Sequence, residues 1–219
     1  MLKHILHTFL LPGLVVLSLI GCDQAIAELV SAGVGMVRGR VVTSREVQMQ
    51  NLLELALFGK VPVGQLLLLG IDSKAFNKAT QETLLETVVE MEAKSFNVIQ
   101  INPNEVHEAE KKALKTLKAT RAWQTLEVSP NELEIALRRK IQAKKFIQFR
   151  AESSVLPVTD SEAQRYFNEN RVKYNGLSFE NAEENIKSVL SHDQVDRRLK
   201  DWYDVLLNKY QVKNLIAEI

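Results

Sequence analysis

Apolar residues along this chain of 219 residues are spaced mostly as in α-helices. From Val47 to Tyr210, apolar positions recur every three or four residues, in segments that begin at residues able to cap a helix. Thr43, Ser129 and Thr159 each precede a Glu by three residues, which is the pattern of a capping box. The pattern predicts about six helices.

Short β-rich segments lie at both ends of this helical region. Residues 34–37 and 40–42 are rich in Val and flank Arg38 and Gly39, which predicts a small hairpin. Residues 212–216 are apolar enough to form a final strand that returns to this hairpin. The expected fold class is therefore mainly α, with a small β-sheet formed by an N-terminal hairpin and a C-terminal strand.

The last predicted helix runs from about Phe179 to Tyr210 and carries two apolar stripes. The step from Leu190 to Val195 is out of phase with a helical repeat. We therefore expect a bend, or a change of packing partner, close to Ser191.

Two groups of apolar residues are candidates for contact with another polypeptide. After Pro62 and Gly64 the chain has four consecutive leucines, which we expect to form a buried helical turn or a packed crossing. An exposed client-binding surface is the alternative. Two phenylalanines lie partly off the apolar stripe of their helix, and we expect them to pack against a neighbouring helix rather than form an exposed site. The candidate client-binding residues are Leu66, Leu67, Leu68, Leu69, Phe146 and Phe149.

Residues 1–27 have the parts of a secretory signal peptide. Lys3 supplies a basic start, and the apolar stretch 9–20 is shorter than the ~20 residues of a transmembrane helix. Residues 25–27 form a small-x-small cleavage site, so that a single domain would occupy residues 28–219. Export of the folded part, which implies a periplasmic location, is the expectation.

A lipoprotein signal is the alternative interpretation of the same leader. Residues 19–22 resemble a bacterial lipobox, in which Cys22 would be acylated and become the new N-terminus. Asp23 then resembles the signal that keeps some lipoproteins on the inner membrane, facing the periplasm. Contact with a membrane is expected only if Cys22 is lipidated. Cys22 is the only cysteine, so the chain cannot form an intramolecular disulfide.

Composition and charge are those of an ordinary globular protein. The chain is 46% hydrophobic and 25% charged, with a formal net charge of +1. A nearly neutral chain offers no electrostatic argument for nucleic acid as a partner. Basic residues such as Arg139 and Lys140, and carboxylates such as Glu86 and Glu92, lie on helices rich in both charges. We expect them to form solvated faces and i,i+4 pairs.

The sequence offers no recognisable catalytic or cofactor-binding motif. It has no Gly-rich phosphate loop, no dinucleotide-binding fingerprint and no Gly-x-Ser-x-Gly elbow. Beyond the leader, His107 and His192 each stand alone on a polar stretch, which favours solvated surface over metal binding. We therefore expect no catalytic residue, no metal, no cofactor and no enzymatic activity.

The order of the segments resembles one family. Residues 34–47 read VGMVRGRVVTSREV, similar to the opening of SurA-like periplasmic chaperones and their parvulin-type foldase relatives, with Arg38 where Asn is usual. Residues 133–152 resemble the helices of their chaperone domain. Residues 158–170 read VTDSEAQRYFNEN, similar to the helix that precedes their isomerase domain. Residues 179–216 resemble the helix and strand that follow it.

The departure from that family is the isomerase domain itself. A domain of about 100 residues should lie between Tyr174 and Ser178, where this chain has only Asn175, Gly176 and Leu177. The resemblance therefore implies a SurA-like chaperone domain without prolyl isomerase activity. It would act without ATP in the envelope on unfolded or partly folded polypeptides, including outer-membrane protein precursors. The alternative is a membrane-tethered lipoprotein adaptor or scaffold that binds one folded partner.

Overall fold

The computed structural model describes residues 32–216, so signal-peptide cleavage and acylation of Cys22 concern residues outside the described part. Within that part the chain is mainly helical, with seven α-helices and a three-stranded antiparallel sheet. The predicted fold class is therefore confirmed.

The small sheet joins the two ends of the described chain. Strands β1 (Gly33–Val37) and β2 (Arg40–Thr43) form the predicted hairpin, and β3 (Lys213–Asn214) pairs with the other edge of β1. At the hairpin turn, Arg38 and Gly39 have φ values of 47° and 82°. Two successive residues in the left-handed region produce the turn that matches the twist of the flanking strands.

Seven helices connect β2 to β3 in the described chain: α1 (Ser44–Phe58), α2 (Lys74–Phe96), α3 (Pro103–Leu117), α4 (Arg121–Leu126), α5 (Pro130–Ser153), α6 (Asp160–Glu169) and α7 (Phe179–Lys209). The capping boxes at Ser129 and Thr159 form as predicted, with reciprocal side-chain bonds at the starts of α5 and α6. Thr43 accepts from the Glu46 amide at 3.2 Å, but the Glu46 carboxylate binds arginines instead of completing a box.

Buried apolar side chains form three clusters. The first joins the sheet to α2, α5 and the end of α7, around Phe76, Phe146 and Leu206. The second joins α1, α3, α4 and α5, around Leu53 and Leu137. Both α1 and α5 contribute to the two clusters and so join them into one unit, which we call the main body (the sheet, α1 to α5 and the end of α7).

The third cluster belongs to a separate helical pair, which we call the satellite hairpin (residues 159–190). Ala163 and Phe167 of α6 pack there against Ala182 and Ile186 of α7. The next fully buried residue of α7 is Leu206, which belongs to the first cluster. The predicted change of packing partner along the last helix is thus confirmed, and α7 is continuous through it.

Candidate binding groove

An open groove of about 490 Å³ lies between α1, α2 and α5. Its walls are largely apolar, and helices of the main body contribute all of its lining. The apolar lining residues are Phe58, Ala79, Leu85, Ala143 and Ile147. Clefts of roughly 300–1,000 Å³ with apolar walls and a few polar groups are the usual form of a ligand site.

A charge network of Glu46, Glu54, Glu86, Arg139 and Lys140 joins the helices that border the groove. Three of its members, Glu54, Glu86 and Lys140, line the groove and are called its floor here. Lys140 Nζ donates to Glu54 at 2.9 Å and to Glu86 at 2.7 Å. Arg139 donates to Glu86 at 3.2 Å and to Glu46 at 2.5 Å. These bonds join α1, α2 and α5, so the network fixes the relative positions of the helices that border the groove.

Opposite charges favour the charged forms of Glu46, Arg139 and Lys140 in spite of their burial. Burial by itself would raise the pKa of Glu46, but Arg139 and Arg40 outweigh it and hold that pKa below its ordinary value of 4.5. Burial would lower the pKa of Lys140, but Glu86 and Glu54 raise it above its ordinary value. Glu46 and Lys140 are therefore charged near neutral pH, which suits a structural role.

Two amide side chains of α1 differ in how their hydrogen bonds are satisfied. Gln50 is 3% exposed; with its amide nitrogen towards Glu86 it donates to that carboxylate at 3.2 Å and accepts from Arg139 at 2.5 Å. Asn51 also lines the groove, but its buried Nδ2 has no hydrogen-bond partner among residues 32–216. A buried donor without an acceptor is costly, which makes Asn51 an unusual member of the lining.

The expectation that the charged residues form solvated faces was wrong for several of them. Arg139 and Lys140 are each 7% exposed, and Glu92 is 5% exposed and bonded to the hydroxyl of Tyr210 at 2.7 Å. One signal could have shown this. Lys140 follows Ala136 by four residues, and Ala136 belongs to the buried stripe of α5, so helical spacing places Lys140 on the inner face.

Of the two arrangements expected for the four leucines, a buried helical turn or a packed crossing, the structure shows the packed crossing. They follow a short 3₁₀ turn (Val63–Gln65) and have no helical structure of their own. Leu66 is 2% exposed and Leu67 is 64% exposed, while Leu68 and Leu69 are half-buried. The Gln48 side chain donates from Nε2 to the Leu69 carbonyl oxygen at 2.6 Å, and its Oε1 accepts from the Leu69 backbone N–H at 2.9 Å. This segment packs across α1, and none of the four leucines lines the groove.

The two candidate phenylalanines differ in burial. Phe146 is completely buried, and its ring lies 5.6 Å from that of Phe96 and 5.8 Å from that of Trp202. This is the predicted packing against neighbouring helices. Phe149 stacks on Phe146 at 6.0 Å and is 40% exposed. Neither residue lines the groove.

Residues 32–216 contain no group of three or more His, Cys, Asp or Glu side chains that could hold a metal ion. His107 and His192 are both exposed. Within the same residues, no helix is both long and apolar enough to cross a membrane. The chain matches no protein-family model, no curated protein and no solved structure.

Proposed function

We propose that this chain is an ATP-independent, chaperone-like protein of the cell envelope that binds unfolded or partly folded polypeptides and does not catalyse prolyl isomerisation. The observation that carries the proposal is the open, apolar-walled groove of about 490 Å³ between α1, α2 and α5. The resemblance of residues 34–47 and 158–170 to SurA-like chaperones gives it a second, independent support.

The chemistry of the groove suits transient binding of many sequences. Apolar walls gain roughly 25 cal/mol for each Å² of apolar surface that a ligand buries, whatever its sequence. The charges on the floor are already paired with one another, so binding does not require a matching ion from the ligand. Such a site needs neither cofactor nor nucleotide.

The junction where an isomerase domain would lie is at the tip of the satellite hairpin. The 3₁₀ turn Arg171–Tyr174 ends there, and Leu177, three residues on, is 51% exposed. Because the two helices are joined directly by this short turn, we assign the chain a binding role and no prolyl isomerase activity. On the basis of the resemblance, we propose outer-membrane protein precursors as the clients. On the basis of residues 1–27, we propose the periplasm as the location.

The test is aggregation of a urea-denatured outer-membrane protein after dilution, followed by light scattering. The chain from residue 28 onward should slow aggregation, and Ile147→Glu, which places a charge on the groove wall, should reduce that effect. Ile135→Glu is the matched control, because Ile135 lies on the same helix, is 57% exposed and does not line the groove. Failure of the unaltered chain to slow aggregation, or prolyl isomerisation above background, would contradict the proposal.

A membrane-tethered adaptor is the second candidate, and the lipobox-like residues 19–22 favour it. Metabolic labelling with a fatty acid separates the two forms. Incorporation into the unaltered protein but not into Cys22→Ala would show tethering. A folded partner recovered in stoichiometric amount would then favour the adaptor over the chaperone.

A further inference from the structure

Positive charge is concentrated in one short stretch, from the second half of α3 to the first residue of α4. Residues 111–121 contain no carboxylate and five basic residues: Lys111, Lys112, Lys115, Lys118 and Arg121. All five are exposed. This stretch carries a formal charge of +5 in a chain whose net charge is +1, so the other residues together carry −4. The charge of the protein is therefore nearly balanced overall and strongly unbalanced on this side.

Most of these cations are not used by the fold. Lys112 Nζ donates to the carbonyl oxygen of Leu57, in the last turn of α1. Within residues 32–216, the side chains of the other four make no ion pair, hydrogen bond or ring contact. Arg45, Arg139 and Lys140, by contrast, each bind at least one carboxylate. We call the four unpaired residues the basic face: Lys111, Lys115, Lys118 and Arg121.

Helical spacing places these cations beside one another. Lys115 has Lys111 four residues before it, Lys112 three residues before it and Lys118 three residues after it. Residues at these spacings are neighbours on a helix surface, and like charges there are destabilising. The helix dipole favours cations in the last turn of α3, but Arg121 is the first residue of α4, where the dipole disfavours one. The fold therefore tolerates a repulsion that an anionic partner would relieve.

Exposed apolar side chains adjoin the basic face. The segment between α1 and α2 begins where α1 ends, at the turn that Lys112 binds. Its Leu66 packs into the cluster that also contains Leu117 of α3. In the same segment Val63 is 52% exposed and Leu67 is 64% exposed. Unpaired cations and exposed apolar side chains thus lie on neighbouring elements of the main body.

We propose that the basic face, together with Val63 and Leu67, binds the surface of an anionic lipid membrane, and that this contact does not require acylation of Cys22. The cations attract the negatively charged headgroups, and the two apolar side chains enter the boundary between headgroups and acyl chains. Clusters of four or more Lys and Arg beside exposed apolar residues are typical of such surfaces. The inference goes beyond the proposed function, because none of these residues lines the groove.

A nucleic acid or an acidic protein fits these features less well. Proteins that bind single-stranded nucleic acid stack its bases on exposed aromatic rings. Trp123, the only Phe, Tyr or Trp of residues 103–126, is 7% exposed. Interfaces with folded acidic partners favour the planar fork of arginine, whereas three of the four residues of the basic face are lysines. Lysine is a point charge on a flexible stem, which suits a mobile layer of headgroups.

Co-sedimentation with lipid vesicles tests the inference. The chain from residue 28 onward contains the whole described fold and lacks Cys22, so acylation cannot contribute. Vesicles of phosphatidylglycerol and phosphatidylcholine in equal parts should bind it, and vesicles of phosphatidylcholine alone should not. Raising the salt from ~0.05 to ~0.5 M should release the protein, because exposed charges are then screened. Equal binding to both kinds of vesicle would overturn the role of the basic face.

Three substitutions remove most of the charge. Lys111→Gln, Lys115→Gln and Lys118→Gln together should weaken vesicle binding about 100-fold, since each basic residue near an anionic surface contributes about fivefold. The fold should be kept, because none of these side chains makes a bond within residues 32–216. If the triple variant does not fold, as judged by circular dichroism, Lys115→Gln takes its place with an expected loss of about fivefold.

A matched variant separates the basic face from charge in general. Lys74→Gln, Lys173→Gln and Lys200→Gln remove the same charge from exposed positions on other elements. This variant should bind vesicles as the unaltered protein does. Equal losses in the two triple variants would show that only the net charge of the protein matters, which would overturn the proposal.

A fluorescent probe shows which surface meets the lipid. Because the chain from residue 28 onward has no cysteine, Val63→Cys provides a single site for an environment-sensitive nitrobenzoxadiazole label. Its emission should rise when phosphatidylglycerol vesicles are added. The same label on Val172→Cys, at a position 92% exposed on the satellite hairpin, should not respond. No response at position 63, or equal responses at both positions, would overturn this orientation.

The remaining outcomes separate this inference from the proposed function. Tighter binding of polyglutamate or of an oligonucleotide than of vesicles, at the same salt, would overturn lipid as the partner. The triple variant of the basic face should still slow aggregation of a denatured protein, and Ile147→Glu should still bind vesicles. Vesicle binding without any effect on aggregation would contradict the proposed function alone, and the reverse result would contradict this inference alone.

Discussion

Arg139 Nη1 lies 2.5 Å from Glu46 Oε1, and this ion pair joins α5 to the first turn of α1. The same guanidinium reaches Glu86 on α2 through Nε at 3.2 Å. Its side chain is only 7% exposed. One arginine therefore connects the three helices that border the groove, in surroundings where water screens its charge poorly.

Removal of this arginine should destabilise the protein strongly. Arg139→Met replaces the arginine with an apolar side chain of similar length. It leaves the largely buried carboxylates of Glu46 and Glu86 with one cation fewer. Breaking a buried pair by removing one partner typically costs about 3–5 kcal/mol. Because Arg40 and Lys140 still bind these carboxylates, we expect the free energy of unfolding in urea to fall by about 3 kcal/mol.

The adjacent arginine provides the control for that measurement. Within the described part of the chain, Arg138 is paired only with Glu134, four residues earlier on the same helix, and its side chain is 42% exposed. Exposed pairs of this kind contribute about 0.3–0.5 kcal/mol, so Arg138→Met should change stability little. Equal losses in Arg138→Met and Arg139→Met would show that the buried network does not fix the helices.

Acid should destabilise the fold through carboxylates whose pKa is lowered by pairing. Arg45, together with Ser129, lowers the pKa of Glu132 from 4.5 to about 2. The pKa of Glu46 is also below its ordinary value of 4.5 because Arg139 and Arg40 outweigh the effect of burial. In both cases the unfolded state binds more protons at acid pH than the folded state does. The stability that these two carboxylates contribute is therefore present above pH 4.5 and is lost as the pH falls through the pKa of the folded state.

Urea unfolding at a series of pH values from ~7 to ~2 checks this expectation. The midpoint should decline below pH 4.5, and for Glu132 the decline should extend to about pH 2. Glu132→Gln should be less stable than the unaltered protein at neutral pH and should show a shallower decline in acid. A midpoint that declines equally in both proteins would exclude a contribution from Glu132.

Local signals in the sequence were sufficient for the starts of α5 and α6 and for the hairpin. The Ser129–Glu132 and Thr159–Glu162 capping boxes form between residues only three positions apart, so neither depends on the rest of the fold. The Arg38 turn is equally local. Even here Glu46 shows the limit, because Arg139 lies 93 positions away and its charge competes with the cap for that carboxylate.

The groove and its floor could not be predicted in the same way. Glu86 and Lys140 are 54 positions apart, and their pairing depends on how α2 packs against α5. Helical spacing could place Lys140 on the inner face of α5, but it could not provide the partner that makes its burial tolerable. The unpartnered amide of Asn51 is likewise a property of three packed helices, not of a motif.

The Gln48 side chain should control how firmly the segment between α1 and α2 is held. It is 6% exposed and makes both of its bonds to the backbone of Leu69, at 2.6 and 2.9 Å. Gln48→Leu removes both, and each is worth about 1 kcal/mol. We expect the Leu69 amide to exchange its hydrogen about tenfold faster or more. Gln81→Leu is the control, because Gln81 is exposed and its side chain bonds Asn77 alone among the residues that the structure describes. Equal acceleration by both changes would contradict this role.

The satellite hairpin should unfold without the main body when its own small core is opened. Phe167 is 2% exposed, and its ring lies 5.7 Å from the rings of both Tyr174 and Phe179. Phe167→Ala removes the largest side chain from this cluster, a change that costs about 3–5 kcal/mol in a core. We expect amide hydrogens of residues 160–190 to lose protection from exchange, while those of β1 and α2 keep it.

The main body supplies the contrasting variant. Phe146 is fully buried in the first cluster, which contains residues of β1, α2, α5 and α7. Phe146→Ala should therefore lower the protection of β1 and α2 together, because these elements share one core. The mid-part of α7 between Ile186 and Leu206 has no fully buried residue to transmit the change from one cluster to the other. Simultaneous loss of protection in both regions in Phe167→Ala would mean that satellite hairpin and body unfold as one cooperative unit.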